Sequence, residues 1–322
     1  MRMDKLLQGL SALLLATTLC APVVAQTWPS RPIRAIAPYP PGGPSDIILR
    51  PIAQLLHDTL KQPLIVDNRP GAGGNIGTSE AARANPDGHT WLLATDGVVT
   101  TNPHVYRKPG FRVDDLMPVM VVTNFSQVLV CNPALGVRTL AQLVDKARSE
   151  PLNYASGGPG VPGHLAMELL LDAAKFNMTH VPYKGPALAM QDVMGGQVPC
   201  GFLAGPTVLP QVRAGKLVAL AVSGAERSPL APEVPTVAEA GYPGYDATFS
   251  MLLFAPRGTP QPVVESMHQA FANALKSQDV AEKIKLSDQQ IVGSSPEEAA
   301  AKLASDSKKW AEVVTRINLR LD

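Results

Sequence analysis

The sequence predicts an α/β fold built from parallel sheets with helices on both faces. Three observations carry this expectation. Short β-like apolar runs alternate with helix-like runs through most of the chain, and alternation of this kind builds parallel sheets covered by helices. Glycine-rich turns follow several of the apolar runs, and ligands of such sheets sit at the carboxyl ends of the strands. The last third reads as helices, because Thr259-Pro260 and Ser295-Pro296-Glu297-Glu298 each set a capping residue before a proline, a common way to start a helix.

The first 25 residues stand outside the fold. Arg2 and Lys5 carry positive charge, residues 6–21 are apolar but short for a bilayer span, and Val23-Val24-Ala25 reads as a signal-peptidase site with cleavage before Gln26. A lipid-modified N-terminus at Cys20 is the rival, disfavoured by Leu19 where such signals carry a small residue. No later run is long and apolar enough for a second span, so direct membrane insertion is not expected. Removing 25 residues from 322 leaves 297, a length that favours two lobes over one larger domain. The leader takes two of 28 basic and one of 27 acidic residues, leaving 26 of each. A chain with no basic excess is not built to bind nucleic acid or anionic lipid.

Strands are expected at 33–37, 64–66, 90–94, 127–131, 153–155, 178–181, 198–203 and 217–222, and helices at 45–60, 75–84, 139–149, 164–175, 187–195 and 208–214. The first strand runs into Pro38-Tyr39-Pro40-Pro41-Gly42-Gly43-Pro44-Ser45-Asp46. The second runs into Asn68-Arg69-Pro70-Gly71-Ala72-Gly73-Gly74-Asn75-Ile76-Gly77. Strand, glycine turn and helix start together make an anion cradle: the backbone can approach closely, free N–H groups point outward, and the helix end carries partial positive charge. One loop alone reads better as a tight turn with Asp46 at a helix start; the second cradle moves the reading towards a ligand site. Pro51 falls in the second turn of the first helix, so that helix is expected to kink there or to begin later than Ser45. At the other end of the chain, Ala300, Leu303, Trp310, Val314 and Ile317 fall roughly on one helical face.

Ser156-Gly157-Gly158-Pro159-Gly160-Val161-Pro162-Gly163 contains a formal G-x-G-x-x-G. Its two prolines, and Pro182-Tyr183-Lys184 where a ribose-binding acid should stand, argue against a nucleotide, and no cofactor is expected. A third anion cradle fits better. Tyr183-Lys184-Gly185-Pro186 again follows a strand; Lys184 could draw an anion or simply be solvated, and His164 could donate to a ligand or pack at its turn. There is no G-x-S-x-G elbow, Walker A loop or H-E-x-x-H, and the six histidines show no close metal-ligand spacing, so neither a catalytic residue nor a metal is assigned. A Ser–His–Asp site assembled in space stays open, because triads follow geometry and not sequence order. Cys131 and Cys200 could pair in an oxidising compartment or remain buried thiols.

Further stretches make the chain recognisable. They are Trp28-Pro29-Ser30-Arg31-Pro32-Ile33, the Pro-Pro-Gly-Gly-Pro-Ser-Asp turn ending at Asp46, Val66-Asp67-Asn68-Arg69-Pro70-Gly71-Ala72-Gly73-Gly74 and Pro86-Asp87-Gly88-His89-Thr90. His180-Val181-Pro182-Tyr183-Lys184-Gly185, Gly195-Gly196-Gln197-Val198, Ala214-Gly215-Lys216-Leu217, Val234-Pro235-Thr236-Val237-Ala238-Glu239-Ala240-Gly241 and Ala255-Pro256-Arg257-Gly258-Thr259-Pro260 continue the set in order. With these the chain resembles the solute receptors of tripartite tricarboxylate transporters, also called Bug proteins.

The resemblance implies a two-lobed periplasmic binding protein of the type II, flytrap kind, each lobe a mostly parallel sheet flanked by helices. Lobe one would comprise residues 26–125 plus 251–322, and lobe two residues 126–250. It implies a monomer that binds a small carboxylated ligand and hands it to membrane permease subunits, with no catalysis. Carried over by motif, the ligand-binding residues would be Tyr39, Pro41, Gly42, Gly43, Ser45 and Asp46; Gly71, Ala72, Gly73, Gly74 and Asn75; Thr95, Asp96 and Gly97; Ser156, Gly157, Gly160 and His164; and Tyr183, Lys184 and Gly185. Two departures stand out. Phe249-Ser250-Met251-Leu252 replaces the family's aromatic-glycine pair, and Gly201-Phe202-Leu203-Ala204-Gly205-Pro206 lacks the Asp or Asn often found after that strand. Both make the neighbourhood less polar, which implies a ligand with apolar or aromatic character beside its carboxylate. An exported hydrolase and a sensory receptor for a kinase ectodomain are the alternatives.

Overall fold

The computed structural model describes residues 28–321; the leader, its cleavage site and Cys20 lie outside them. Two sheets organise the chain. The first has the strand order β11-β4-β10-β3-β1-β2, with β1 at Ile33–Ala37, β2 at Leu64–Asn68, β3 at Thr90–Thr95, β4 at Leu116–Phe125, β10 at Phe249–Pro256 and β11 at Gln289–Ile291. The second has the order β7-β6-β8-β5-β9, with β5 at Gln127–Cys131, β6 at Asn153–Ser156, β7 at Thr179–Pro182, β8 at Cys200–Ala204 and β9 at Val218–Val222. Helices flank both, which gives a two-lobed α/β fold.

The sheets are mixed, where mostly parallel pairing was expected. Parallel ladders join β1 to β2 and β3, and β6 to β7 and β8. Antiparallel ladders join β10 to β3 and β4, β11 to β4, and β5 to β8 and β9. The cause is the chain's passage between the sheets. The end of β4 and the start of β5 are separated by Ser126 alone, and β10 returns to slot between β3 and β4 in the middle of the first sheet. Every residue of β10 is buried. A strand buried on both faces has no alternation to betray it, so the apolar run 249–256 was absorbed into a last third read as helices. Strand β4 hides differently: it holds Pro118, which argues against a central strand, and the ladder shifts register beside that proline.

Helix ends also refine the expectations. The first helix, α1, runs Pro44–Leu60 with Pro51 inside it, so it does not begin later than Ser45. The carbonyl that Pro51 cannot reach belongs to Ile47, an exposed position where water can replace the missing donor. Ser295 and Glu298 form the expected capping box on the C-terminal helix Pro296–Arg316. Its buried stripe contains Ala299 in place of Ala300, with Trp310, Val313 and Val314. Thr259 does not cap the preceding helix, Gln261–Leu275; its hydroxyl donates to the Pro256 carbonyl instead.

The C-terminal helix runs beside both sheets. Ala299 packs in a cluster with Ile36, Leu92 and Phe254 of the first, whereas Trp310, Val313 and Val314 pack with Leu129, Tyr154 and Phe202 of the second. Arg316 pairs with Asp172 at 2.9 Å, and Lys309 Nζ donates to the Asp246 carbonyl at 3.2 Å, both across to the second sheet's half. Cys131 and Cys200 face each other in the β5–β8 ladder and form a disulfide. The bridge closes a sequence separation of 69, and such constraints contribute about 2–4 kcal/mol. Chemical denaturation with and without a reducing agent is expected to show a loss in that range; equal midpoints would remove the bridge as a stabilising element.

Candidate functional site

A cavity of about 1070 Å³ lies between the two sheets, at the upper end of the range that suits small ligands. Its wall is built from strand ends. Tyr39 and Gly42 follow β1, Thr95, Asp96 and Gly97 close β3, Gly157 and Gly160 follow β6, and Ala204, Gly205 and Pro206 follow β8. Four helices of more than eight residues begin at this wall: α1 and the helices Pro162–Ala174, Pro186–Met194 and Gly205–Arg213. Each brings the partial positive charge of its N-terminus and a proline in its first positions. Among the described residues, the basic side chains on the wall are Arg50 and Lys283, and both are already paired, with Asp46 at 2.6 Å and Asp279 at 2.8 Å.

The first turn is held by Asp46, which itself lines the cavity. Asp46 accepts from the Gly42 amide at 2.9 Å, from Arg50 at 2.6 and 2.9 Å, and from Asn68 Nδ2 at 3.2 Å. Burial pushes its carboxyl up, but these donors outweigh burial and hold it below the usual carboxylate range. Asn68 Nδ2 also donates to the Tyr39 carbonyl at 3.1 Å, which ties the end of β2 to the first turn. Ser45 is buried and its hydroxyl donates to Leu93 O at 2.7 Å, away from the wall. Pro41 is exposed and Gly43 half-buried, both beside the wall residues without lining it. Tyr39 and Thr95 share a hydrogen bond of 2.5 Å; burial raises the phenol to about 12, so it stays neutral.

The second turn is left-handed over three residues, Ala72, Gly73 and Gly74, with φ of +48°, +63° and +94°. Two of these positions are glycine because the left-handed region strains other residues. Gly73 lines the cavity, Gly71 and Ala72 are exposed, and Gly74 is buried. Asn75 is buried and accepts from Asn102 Nδ2 at 2.7 Å; the same Asn102 group donates to Gly73 O at 3.0 Å. Asp96 is buried, its Oδ1 accepts from the Gly97 amide at 2.9 Å, and its Oδ2 has no partner. Burial, with Asp306 nearby, lifts it to about 7 against the pull of Lys302 and Lys309.

Behind the third turn lies a stack of rings. Tyr154 packs on His180 at 4.9 Å and His180 on His164 at 4.0 Å, in near-parallel planes. His164 Nδ1 accepts from the Gly160 amide at 3.0 Å, and Gly185 N donates to Gly157 O at 3.0 Å. Burial lowers His164 to about 3, with His180 adding to the effect, and lowers His180 to about 4. Ser156 lies 2.7 Å from His180 Nε2, but it is fully buried and also bonds Gly158 O at 2.9 Å. It offers no nucleophile to the cavity. Tyr183 donates to Asp192 at 2.6 Å, and Lys184 is exposed; neither lines the wall.

Several wall residues escaped the sequence reading. Thr101, Asn102 and Tyr106 follow β3, and Phe125 ends β4; Phe202, Leu203 and Phe249, which the sequence marks as making the neighbourhood less polar, line the wall as well. Ser287 and Asp288 come from the segment before β11, and Gln289 begins that strand. The Gly205 neighbourhood was noticed only for the acid it lacks; nothing in sequence shows that residues 287–289 fold over it.

The family model described as tripartite tricarboxylate transporter family receptor matches residues 48–319. The chain belongs to this family. It is 35% identical over 330 residues to protein BugT of Bordetella pertussis, covering 100% of both. Rpa4515 of R. palustris, solved with adipate, has a TM-score of 0.79 and 33% identity, the match covering 91% of this chain and 99% of that one. MatC of Rhodopseudomonas palustris, solved with bound malate, has a TM-score of 0.75 and 30% identity, covering 89% and 100%. The family is one of solute-binding receptors, and its neighbours here are periplasmic binding proteins.

Two outcomes follow from the braces. Asp46→Ala strips Gly42, Arg50 and Asn68 of their acceptor and is expected to cost about 1–3 kcal/mol, read by chemical denaturation; an unchanged midpoint would show the turn stands without it. The histidines titrate normally at 6.5 but are held lower when folded, so the unfolded chain binds more protons in acid. Their contribution is full above pH 6.5 and falls away as pH drops towards 4. His164→Gln keeps a neutral acceptor for Gly160 and should flatten the acid limb of melting temperature against pH; a limb as steep as wild type would clear the pair.

Proposed function

We propose that the protein is exported by its leader, cleaved after Ala25, and serves in the periplasm as the receptor of a tripartite tricarboxylate-type transporter. It holds a small carboxylated compound between its lobes without catalysis. Lobe one comprises residues 26–125 plus 251–322, lobe two residues 126–250, and the receptor acts as a monomer. One observation carries the reading: four helix N-termini and the glycine turns converge on one cavity whose basic side chains, among the described residues, are both paired off. An anion there meets helix ends in place of a free cation, each worth about 0.5–2 kcal/mol, while the Gly42, Gly97 and Gly160 amides already donate to Asp46, Asp96 and His164. The neighbours solved with adipate and malate support a carboxylate.

The sequence-assigned residues divide into two roles in this reading. Tyr39, Gly42, Gly73, Thr95, Asp96, Gly97, Gly157 and Gly160 meet the ligand, while Asp46, Asn75, Ser156 and His164 hold those turns in place. Phe125, Val161, Leu165, Phe202 and Phe249 also line the cavity, which favours an apolar or aromatic body beside the carboxylate. Ligand bridging the lobes raises the closed population only by its preference for that state, and the permease subunits read the closed form.

The mature chain, residues 26–322, is to be melted against mono-, di- and tricarboxylates, aromatic acids and amino acids. A compound at a hundred times its dissociation constant adds about 2.7 kcal/mol, and the expected result is a raised melting temperature with the compound recovered unchanged. Consumption of the compound, or stabilisation by none of the carboxylates, overturns the reading.

A further inference from the structure

Asp288 is the unusual group on the cavity wall. It sits between the helix Gln278–Leu286 and β11, in the half of the protein built on the first sheet. Its backbone is left-handed, φ +58°, a conformation that aspartate tolerates better than most residues. The side chain reaches across to the other half. Ser228 donates to its Oδ1 at 2.5 Å. Its Oδ2 is buried and has no hydrogen-bond partner, and the residue as a whole is 4% exposed while lining the cavity.

That free oxygen occupies a defined place. A Cβ built on Gly205 would fall 1.7 Å from Asp288 Oδ2. The carboxylate therefore stands where the side chain of residue 205 would begin, at the first residue of the helix Gly205–Arg213. The acid missing after β8 is thus supplied from the opposite half of the molecule, and only glycine at 205 leaves room for it. Two consequences follow. The positive end of this helix already faces a protein anion, which makes it unfavourable for a ligand carboxylate. The unpartnered acceptor beside it costs free energy until a donor arrives.

We propose that Asp288 determines specificity, selecting carboxylates that also carry an uncharged or cationic hydrogen-bond donor (an amino, amide or hydroxyl group) and rejecting a second carboxylate at that wall. The inference rests on the cavity being a carboxylate site. The donor meets Oδ2 beside Gly205, while the ligand carboxylate takes the turns after β1, β3 and β6. A site built to bond a donor discriminates strongly against an analogue lacking it, because the buried group is left unpaired.

The test uses matched probes on the mature chain, by calorimetry: succinate, adipate and terephthalate, each beside its monoamide and beside the amino acid of the same length. Wild type is expected to bind a donor-bearing member at least about tenfold more tightly than its dicarboxylate. Asp288→Asn should bring the pair to within about threefold. Gly205→Ala should do the same without touching Asp288, since its φ is not left-handed and its methyl displaces the carboxylate; melting curves establish that both variants are folded. Equal or tighter binding of the dicarboxylate by wild type, or a preference that survives both substitutions, overturns the role of Asp288 and leaves the receptor reading standing. Binding of no carboxylate at all overturns both.

Discussion

The carboxylate of Asp46 joins three pieces of the first half: the Gly42 amide, Arg50 on the first helix, and Asn68 at the end of β2. Asn68 in turn holds the Tyr39 carbonyl. The two glycine turns are therefore one mechanical unit, although they are about thirty residues apart in sequence. This matters for the proposed anion site because a wall of helix ends and backbone works only if those groups are already aimed. Water would otherwise solvate an anion as well as a loose loop could.

The second half solves the same problem with different chemistry. Its glycine turn is backed by a stack of buried rings, and the contact that fixes it is a neutral histidine accepting from Gly160. Only an unprotonated ring nitrogen can accept, so burial that keeps His164 uncharged also keeps the turn in place. Ser45, Asn75, Ser156 and His164 stay off the cavity wall, and in the proposed receptor they hold the backbone that forms it.

The halves are joined by more than the two chain passages. Phe125 and Phe249 lie 5.8 Å apart where the chain crosses, and Phe249 stacks on Trp310 at 5.2 Å. The C-terminal helix then continues past Trp310 to the Arg316–Asp172 pair. Asp288 and its Ser228 partner make a separate bond between the halves at the cavity itself.

Local chemistry was legible in the chain. The strand–glycine turn–helix units, the Ser295 capping box and the charge balance all depend on neighbours in sequence, and the ordered motifs made the family and two-lobed outline recognisable. The mixed pairing of the sheets was not legible. Strand β10 is buried on both faces and carries no alternation, and β4 contains a proline. The Cys131–Cys200 pairing and the division of the glycine-turn residues into wall and brace needed coordinates too. So did Asp288, because its role depends on Gly205, more than eighty residues away and in the other half. Periodicity and turn chemistry act over a few residues and can be read from sequence. Which strand enters which sheet, and which buried oxygen is left without a donor, is decided only when distant segments compete for the same space.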